Sequence, residues 1–324
     1  MGKLSPTPLE LVDQWLADLQ PDHSATTLRR YASVLKRFFT WYEGEARMAL
    51  ALPDLNPIVL VGYRNAIQTT EATSTVNTHV STLRSWGKWL KQQGYMADDP
   101  AARLKLVKRP APTQPRSLTS SQVNALLRET QHNRYPRRDQ AILQVLIQTG
   151  MRIGECAMLC YEDICFGEKH GSALIRSGKG NKARRVPLNS SARQALADYV
   201  APLLGVQATL KEVAAAWPCP GSGQCPSPLW RSQRGRMTVN GMERMVSALV
   251  KSCAARDLVP AATTAHSLRH TFATRYLVTH RGDYVGLARL LGHSSLEATK
   301  IYVQPTEDEL TERVERLDLN AYGG

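Results

Sequence analysis

Three prolines and three basic residues fall within the eleven positions from Leu106 to Arg116, Leu-Val-Lys-Arg-Pro-Ala-Pro-Thr-Gln-Pro-Arg. Proline fixes φ and lacks the amide hydrogen that a helix needs, so this stretch runs extended and no helix continues through it. A chain of 324 residues is long enough for two cores of ordinary domain size. The stretch therefore divides it into a domain over 1–105, a linker over 106–116 and a second domain from Ser117 onward. Lys108 and Arg109 suit that linker to lie along a phosphate backbone.

The first domain reads as helical. Leu9, Val12, Leu16 and Leu19 recur at helical spacing, and Ser24 can cap a second helix with Leu28, Tyr31, Leu35, Phe38 and Tyr42 on one side. Arg29, Arg30, Lys36 and Arg37 occupy much of its remainder. A later segment has Val76, Val80, Leu83, Trp86 and Leu90 apolar, Arg84, Lys88 and Lys91 basic, and Gly94 as its stop. Taken singly, such cationic faces are ordinary solvated faces. Together with the linker they make Arg29, Arg30, Lys36, Arg37, Arg84, Lys88, Lys91, Lys108 and Arg109 the candidate nucleic-acid contacts.

The second domain opens on Thr119, which with Gln122 fits a capping box before Val123, Leu126 and Leu127, and a helix follows through Ala141, Leu143, Leu146 and Ile147. Two β-like runs, Ser172–Arg176 and Ala183–Leu188, flank Ser-Gly-Lys-Gly-Asn-Lys, whose composition favours a tight reversal. This predicts a β-hairpin with Lys179 at its tip. The Pro-, Gly- and Ser-rich stretch from Gly205 to Arg236 reads as an irregular insertion, and helices resume from about Thr238 to Leu319. The expected architecture is mainly α with a small antiparallel β-sheet.

Lys and Arg outnumber Asp and Glu by 41 to 28, a net charge of +13, so an acidic polymer is the natural partner. No run approaches the roughly 20 apolar residues that span a bilayer, and the first residues lack a signal-like apolar region, so the expectation is a cytoplasmic protein without a membrane partner. The cysteines at 156, 160, 165, 219, 225 and 253 contain no C-x-x-C pair and read as reduced thiols. Cys219 and Cys225 have poor ligand spacing, so no metal site is expected.

Cleaving a phosphodiester without a metal requires fixed cations on the non-bridging oxygens, a proton donor for the departing oxygen and an in-line nucleophile. Arg152 follows a glycine at a helix start, where backbone amides also favour an anion. His266 and Arg269, three apart, project from one helical face. Guanidiniums from two separate segments can grip one phosphate with forked hydrogen bonds. Downstream lie His293, in Leu-Leu-Gly-His, and Tyr302 nine residues later. A phenol with a free pKa of about 10 needs such positive surroundings to act as a nucleophile. Each of these residues has a bland reading by itself; the ordered set does not.

From the helical amino-terminal part through Tyr302, the chain resembles the tyrosine recombinases, the phage-integrase and Xer family. The matching residues are Arg152 in Thr-Gly-Met-Arg-Ile-Gly-Glu, Lys179 in Gly-Lys-Gly-Asn-Lys-Ala-Arg-Arg-Val-Pro-Leu, and His266 and Arg269 in His-Ser-Leu-Arg-His-Thr-Phe-Ala-Thr. They continue with His293 in Leu-Leu-Gly-His-Ser-Ser-Leu and Tyr302 in Thr-Lys-Ile-Tyr. The resemblance implies an amino-terminal helical domain and an α+β catalytic domain that clamp duplex DNA. It also implies that Tyr302 forms a 3′-phosphotyrosine, with no cofactor, ATP or metal. Arg152 and Arg269 would hold the phosphate, Lys179 protonate the leaving 5′ oxygen, His266 act as acid/base, His293 support the transition state and Glu155 orient the site. His270, His280 and His132 carry no family role.

Paired inverted half-sites imply a homotetramer on DNA assembled from monomers, with possible accessory proteins, in a bacterial, nucleoid-associated setting. The acidic stretch 304–324, with Thr306 and Glu309 as a capping box and Leu310, Val314 and Leu317 as an apolar stripe, would dock on a neighbouring protomer. So few residues precede the first helix that a separate arm-binding domain has no room. The catalytic domain is placed at 117–303, and its long 205–236 segment favours a mobile element's recombinase over a housekeeping one. The alternatives are a type IB topoisomerase, which shares the Arg, Lys, His and Tyr chemistry, and a catalytically silent DNA-binding protein.

Overall fold

The computed structural model describes residues 6–108, 117–176, 183–218 and 227–292, which fall into two compact units, one within 1–111 and one within 112–324. The chain is mostly helical with a small antiparallel sheet, as its periodicities predict.

The amino-terminal unit holds α1 (Pro8–Leu19), α2 (Ala25–Ala46), α3 (Pro57–Gln68) and α4 (Thr73–Gln92). The Ser24 hydroxyl accepts the Thr27 amide and caps α2, and Gly94 follows α4 at φ +77°, a conformation that only glycine adopts without strain. The inward stripes of these helices, including Leu11, Trp15, Leu35, Phe38, Leu83 and Trp86, form one apolar core. Helix α3 was not legible from periodicity, because Ile58, Val59, Leu60 and Val61 are consecutive and carry no helical spacing. Asn56 starts it by accepting the amides of Ile58 and Val59, with Pro57 in the first position, where its missing N–H costs nothing.

Asn77 on α4 makes a paired contact with Val107: the Val107 amide donates to Oδ1 at 2.8 Å, and Nδ2 donates to the Val107 carbonyl at 2.9 Å. Arg64 also donates to the Lys105 carbonyl at 3.4 Å. Leu106 and Val107, read from composition as linker, are thus held on the amino-terminal unit.

The second unit holds α5 (Ser120–Glu129), α6 (Pro136–Thr149), α7 (Ile153–Met158), α8 (Ser190–Leu204), α9 (Leu210–Ala216), α10 (Val239–Ala254), α11 (Ala265–Thr279) and α12 (Tyr284–Leu291). The Thr119 and Gln122 capping box is present. Helix α6 packs against α8 and α11 and supplies Ile142, Leu143, Val145 and Leu146 to the core. Strands β1 (Ile164–Phe166), β2 (Gly171–Ile175) and β3 (Arg184–Pro187) form an antiparallel sheet in the order β1-β2-β3. Its last β2–β3 pair before residues 177–182 is Ile175 with Arg184.

The segment from Gly205 to Arg236 is not irregular where it is described. It contains α9 and a two-stranded hairpin, β4 (Arg231–Ser232) with β5 (Gly235–Arg236), and it buries Val213, Trp217, Leu229 and Trp230 in the core. Its polar composition hid this, because its order is made by distant partners: the Leu229 amide donates to the Leu159 carbonyl at 3.0 Å, and Trp230 Nε1 donates to the Cys156 carbonyl at 2.8 Å. Among the described residues, Cys156, Cys160, Cys165 and Cys253 are unpaired, and no helix is long and apolar enough to cross a membrane.

Candidate active site

Four of the residues singled out from sequence line one cavity of about 1100 Å³ in the second unit: Arg152, Glu155, His266 and Arg269. Helix α6 ends at Gly150, whose φ of +62° turns the chain toward α7; a Cβ there would overlap the Phe272 ring and lie 2.9 Å from the Leu291 side chain. That turn places Arg152 at the start of α7 with its side chain 38 % exposed. Arg269 comes from α11, whose inward face is partly polar (Leu268, Arg269, Thr271, Ala273).

The two guanidiniums differ in setting. Arg269 is 2 % exposed; Nη1 donates to the Gly150 carbonyl and Nη2 to the Leu291 carbonyl, each at 2.7 Å. It therefore ties together the segment that leads to Arg152 and the end of α12. Arg152 turns toward the cavity and gives one hydrogen bond, Nη1 to Glu155 Oε1 at 3.1 Å. Its backbone amide donates to Glu155 Oε2 at 2.8 Å, so that one amide serves the carboxylate rather than an incoming anion.

Glu155 has a second cationic partner that the sequence did not reveal. Arg184 of β3 donates from Nη1 to Oε1 at 2.9 Å and from Nη2 to Oε2 at 2.7 Å, while its Nε donates to the Leu290 carbonyl at 2.9 Å. Burial alone would raise the Glu155 pKa. Hydrogen bonds from Arg184 and the Arg152 amide, with both positive charges, outweigh it and hold the carboxyl below its ordinary range. A signal for Arg184 did exist: it lies two residues before buried Val186, hence on the inward face of a strand, where an arginine requires a partner.

Partial burial, and then the charges of Arg269 and Arg152, push the His266 pKa below its usual value, so its imidazole is neutral near pH 7 and can accept a proton. Its ring meets that of His270 edge-on, with centroids 4.5 Å apart. Burial first, then His266 and Arg269, lower His270 to about 4. His280 stacks on Tyr276, with centroids 4.6 Å apart, and His132 is exposed; neither lines the cavity.

Lys179, His293 and Tyr302 lie outside the described residues, as do Cys219, Cys225 and the acidic stretch 304–324. Of the candidate nucleic-acid contacts, Arg29, Arg30, Lys36, Arg37, Arg84, Lys88, Lys91 and Lys108 are exposed on the amino-terminal unit, and Arg109 is outside the described residues. Arg37 is paired with Glu71 at 2.7 Å and Lys91 with Asp98 at 3.3 Å. Arg84, Lys88 and Lys91 follow helical spacing along one exposed face of α4. At the amino-terminal end of that face, Ser81 and Thr78 share a small cavity with Arg30 of α2.

Residues 116–309 match the Phage integrase family, and residues 12–94 match the Phage integrase, N-terminal SAM-like domain. Tyrosine recombinase XerC of Oceanobacillus iheyensis is 31 % identical over 312 residues, covering 94 % of each chain. Among solved structures, XerH site-specific recombinase bound to difH substrate superposes with a TM-score of 0.70 at 17 % identity, covering 97 % of this chain and 98 % of that one. The Tn1549 transposon integrase in complex with circular intermediate DNA does so with a TM-score of 0.71 at 20 % identity, covering 96 % and 100 %; at these identities the likeness is one of fold. Family match, full-length relatedness and shared fold agree: the chain belongs to the phage integrase family, the tyrosine recombinases, and is a site-specific recombinase.

Proposed function

We propose that the chain cuts and rejoins duplex DNA through a 3′-phosphotyrosine at Tyr302. The observation that supports this most is that Arg152 of α7 and Arg269 of α11 line one cavity with a neutral-favouring His266. Two guanidiniums from separate elements are what a phosphate with developing negative charge requires. The Tyr302 Oη to phosphorus bond forms as the phosphorus to O5′ bond breaks. The phenol proton passes to His266, and O5′ takes a proton from Lys179. Attack by a 5′-hydroxyl from another strand runs the same steps backward, so the phosphodiester bond energy is retained and neither ATP nor a metal ion takes part. His293 supports the transition state, and Glu155 orients Arg152.

The DNA partner carries paired inverted half-sites, and the protein assembles on it as a homotetramer from monomers, with the acidic 304–324 stretch docking between protomers and accessory proteins as possible additions. Arg29, Arg30, Lys36, Arg84, Lys88 and Lys108 contact the backbone, so binding weakens steeply with salt. The setting is cytoplasmic and nucleoid-associated. The outcome is integration, excision or resolution of a mobile element; since α9, Trp217 and Trp230 belong to the core, the ground for that role narrows to the Pro-, Gly- and Cys-containing run at 218–228.

Substitution of Tyr302→Phe tests the chemistry. Covalent protein–DNA adducts on a nicked suicide duplex should vanish while DNA affinity stays within about 3-fold of the parent, because affinity comes from many phosphate contacts. Adducts at the parental level would contradict the reading.

A further inference from the structure

Glu155 is a carboxylate with two arginines, and the two do not share it equally. Arg184 grips it with a fork, one terminal nitrogen on each oxygen at 2.9 and 2.7 Å, whereas Arg152 offers a single side-chain bond at 3.1 Å. Forked guanidinium–carboxylate pairs are the stronger and more directional arrangement. Exposure divides the two in the same way: the Arg184 side chain is 10 % exposed and the Arg152 side chain 38 %. Arg184 is further fixed by its bond to the Leu290 carbonyl. It is also closely covered by Gly292, where a Cβ would come within 2.6 Å of Nη1. Its fork points at Glu155, and it does not line the cavity.

Charge accounting gives this geometry a chemical consequence. Glu155 and Arg184 together form a buried neutral pair, so the positive charge of Arg152 is left for the cavity. Without Arg184, the same carboxylate, 7 % exposed, would have Arg152 as its remaining side-chain cation. A buried carboxylate holds such a partner tightly, so Arg152 would be drawn onto Glu155 and its charge neutralised there. We propose that Arg184 is a positioning residue for strand cleavage: it takes up the Glu155 charge so that the charge of Arg152 stays uncompensated and turned toward the scissile phosphate. This rests on the phosphoryl-transfer reading given above.

The test uses the full chain and a suicide duplex, reading the rate of covalent adduct formation at saturating protein and, separately, DNA affinity. Arg184→Gln should slow adduct formation about 100-fold, the usual consequence of losing one transition-state donor, with affinity within about 3-fold. Adding Glu155→Gln to that variant removes the carboxylate that captures Arg152. The double variant should recover at least 10-fold of the lost rate. A merely structural clamp predicts the reverse, since deleting its second half repairs nothing. An Arg184→Gln rate within 10-fold of the parent, or a double variant no faster than the single one, overturns the proposal. Should Arg184→Gln not fold alone, the double variant is compared with Glu155→Gln alone: equal adduct formation supports the role, because Arg184 then has no charge to take up, and a double variant at least 10-fold slower contradicts it. The parent chain and Tyr302→Phe serve as references: no adduct from the parent would defeat the phosphotyrosine reading itself, a result distinct from any difference among the Arg184 variants.

Discussion

Arg152 and Arg269 sit in the same cavity yet answer to different forces, and substitution separates them. Arg269 is buried and satisfies two backbone carbonyls, Gly150 and Leu291, so Arg269→Lys leaves at least one without its donor. It should lower unfolding stability by about 2–3 kcal/mol and abolish adduct formation together. Arg152 is half-exposed, and Arg152→Lys should keep stability within about 1 kcal/mol while losing the forked grip and the activity. Urea titration beside the adduct assay checks both; equal stability losses would contradict the distinction. His270 supplies a pH dependence. In the unfolded chain its imidazole protonates near 6.5, but in the folded protein only near 4. Its contribution is therefore complete above pH 6.5 and is lost as the pH falls from 6.5 toward 4. His270→Gln should reduce the stability difference between pH 7.5 and 5 by on the order of 1 kcal/mol, allowing for the solvent that still reaches the ring; an unchanged difference would contradict it. Of the residues around this cavity, Arg152, Glu155, His266 and Arg269 were legible because each lies in a short motif. For Arg184, its strand position two residues before Val186 signalled a buried partner but not which one, because Glu155 lies 29 residues away and no local spacing links them.

At the level of elements, caps carried most of the legible information. Ser24, the Thr119 and Gln122 box and Gly94 mark helix ends by local hydrogen bonding and backbone conformation alone, so the sequence contains the whole signal. The β4–β5 hairpin was missed for the opposite reason: the run that leads into it is ordered by tertiary partners, Leu159 and Cys156, which override a misleading composition, whereas α3 has a local Asn56 cap but consecutive apolar residues that blur its period. The Asn77 and Val107 pairing holds residues whose composition reads as linker, and proteolysis can read it. Cleavage needs several residues around the scissile bond to open. Asn77→Ala should therefore make tryptic cleavage of the Lys105–Leu106 bond faster than in the parent chain. An unchanged cleavage rate at that bond would show that the pairing does not hold Leu106 and Val107 in place.

At the scale of the whole molecule, each unit has its own main apolar core among the described residues, as a chain of this length allows, and the excess of positive charge matches a polyanionic partner. Mostly helical architecture, the hairpin strands and the family were readable in advance because periodicity and ordered motifs are properties of the chain itself. The detailed placement of charge around Glu155 is a property of the fold. The central claim is that the Tyr302 hydroxyl becomes esterified to a broken DNA strand held by Arg152 and Arg269. The most direct measurement is to trap the protein on a suicide duplex, digest it, and map the nucleotide-bearing peptide by mass spectrometry. The account predicts a 3′-phosphate linked to Tyr302; attachment to any other residue, or strand scission with no covalent linkage, would contradict it.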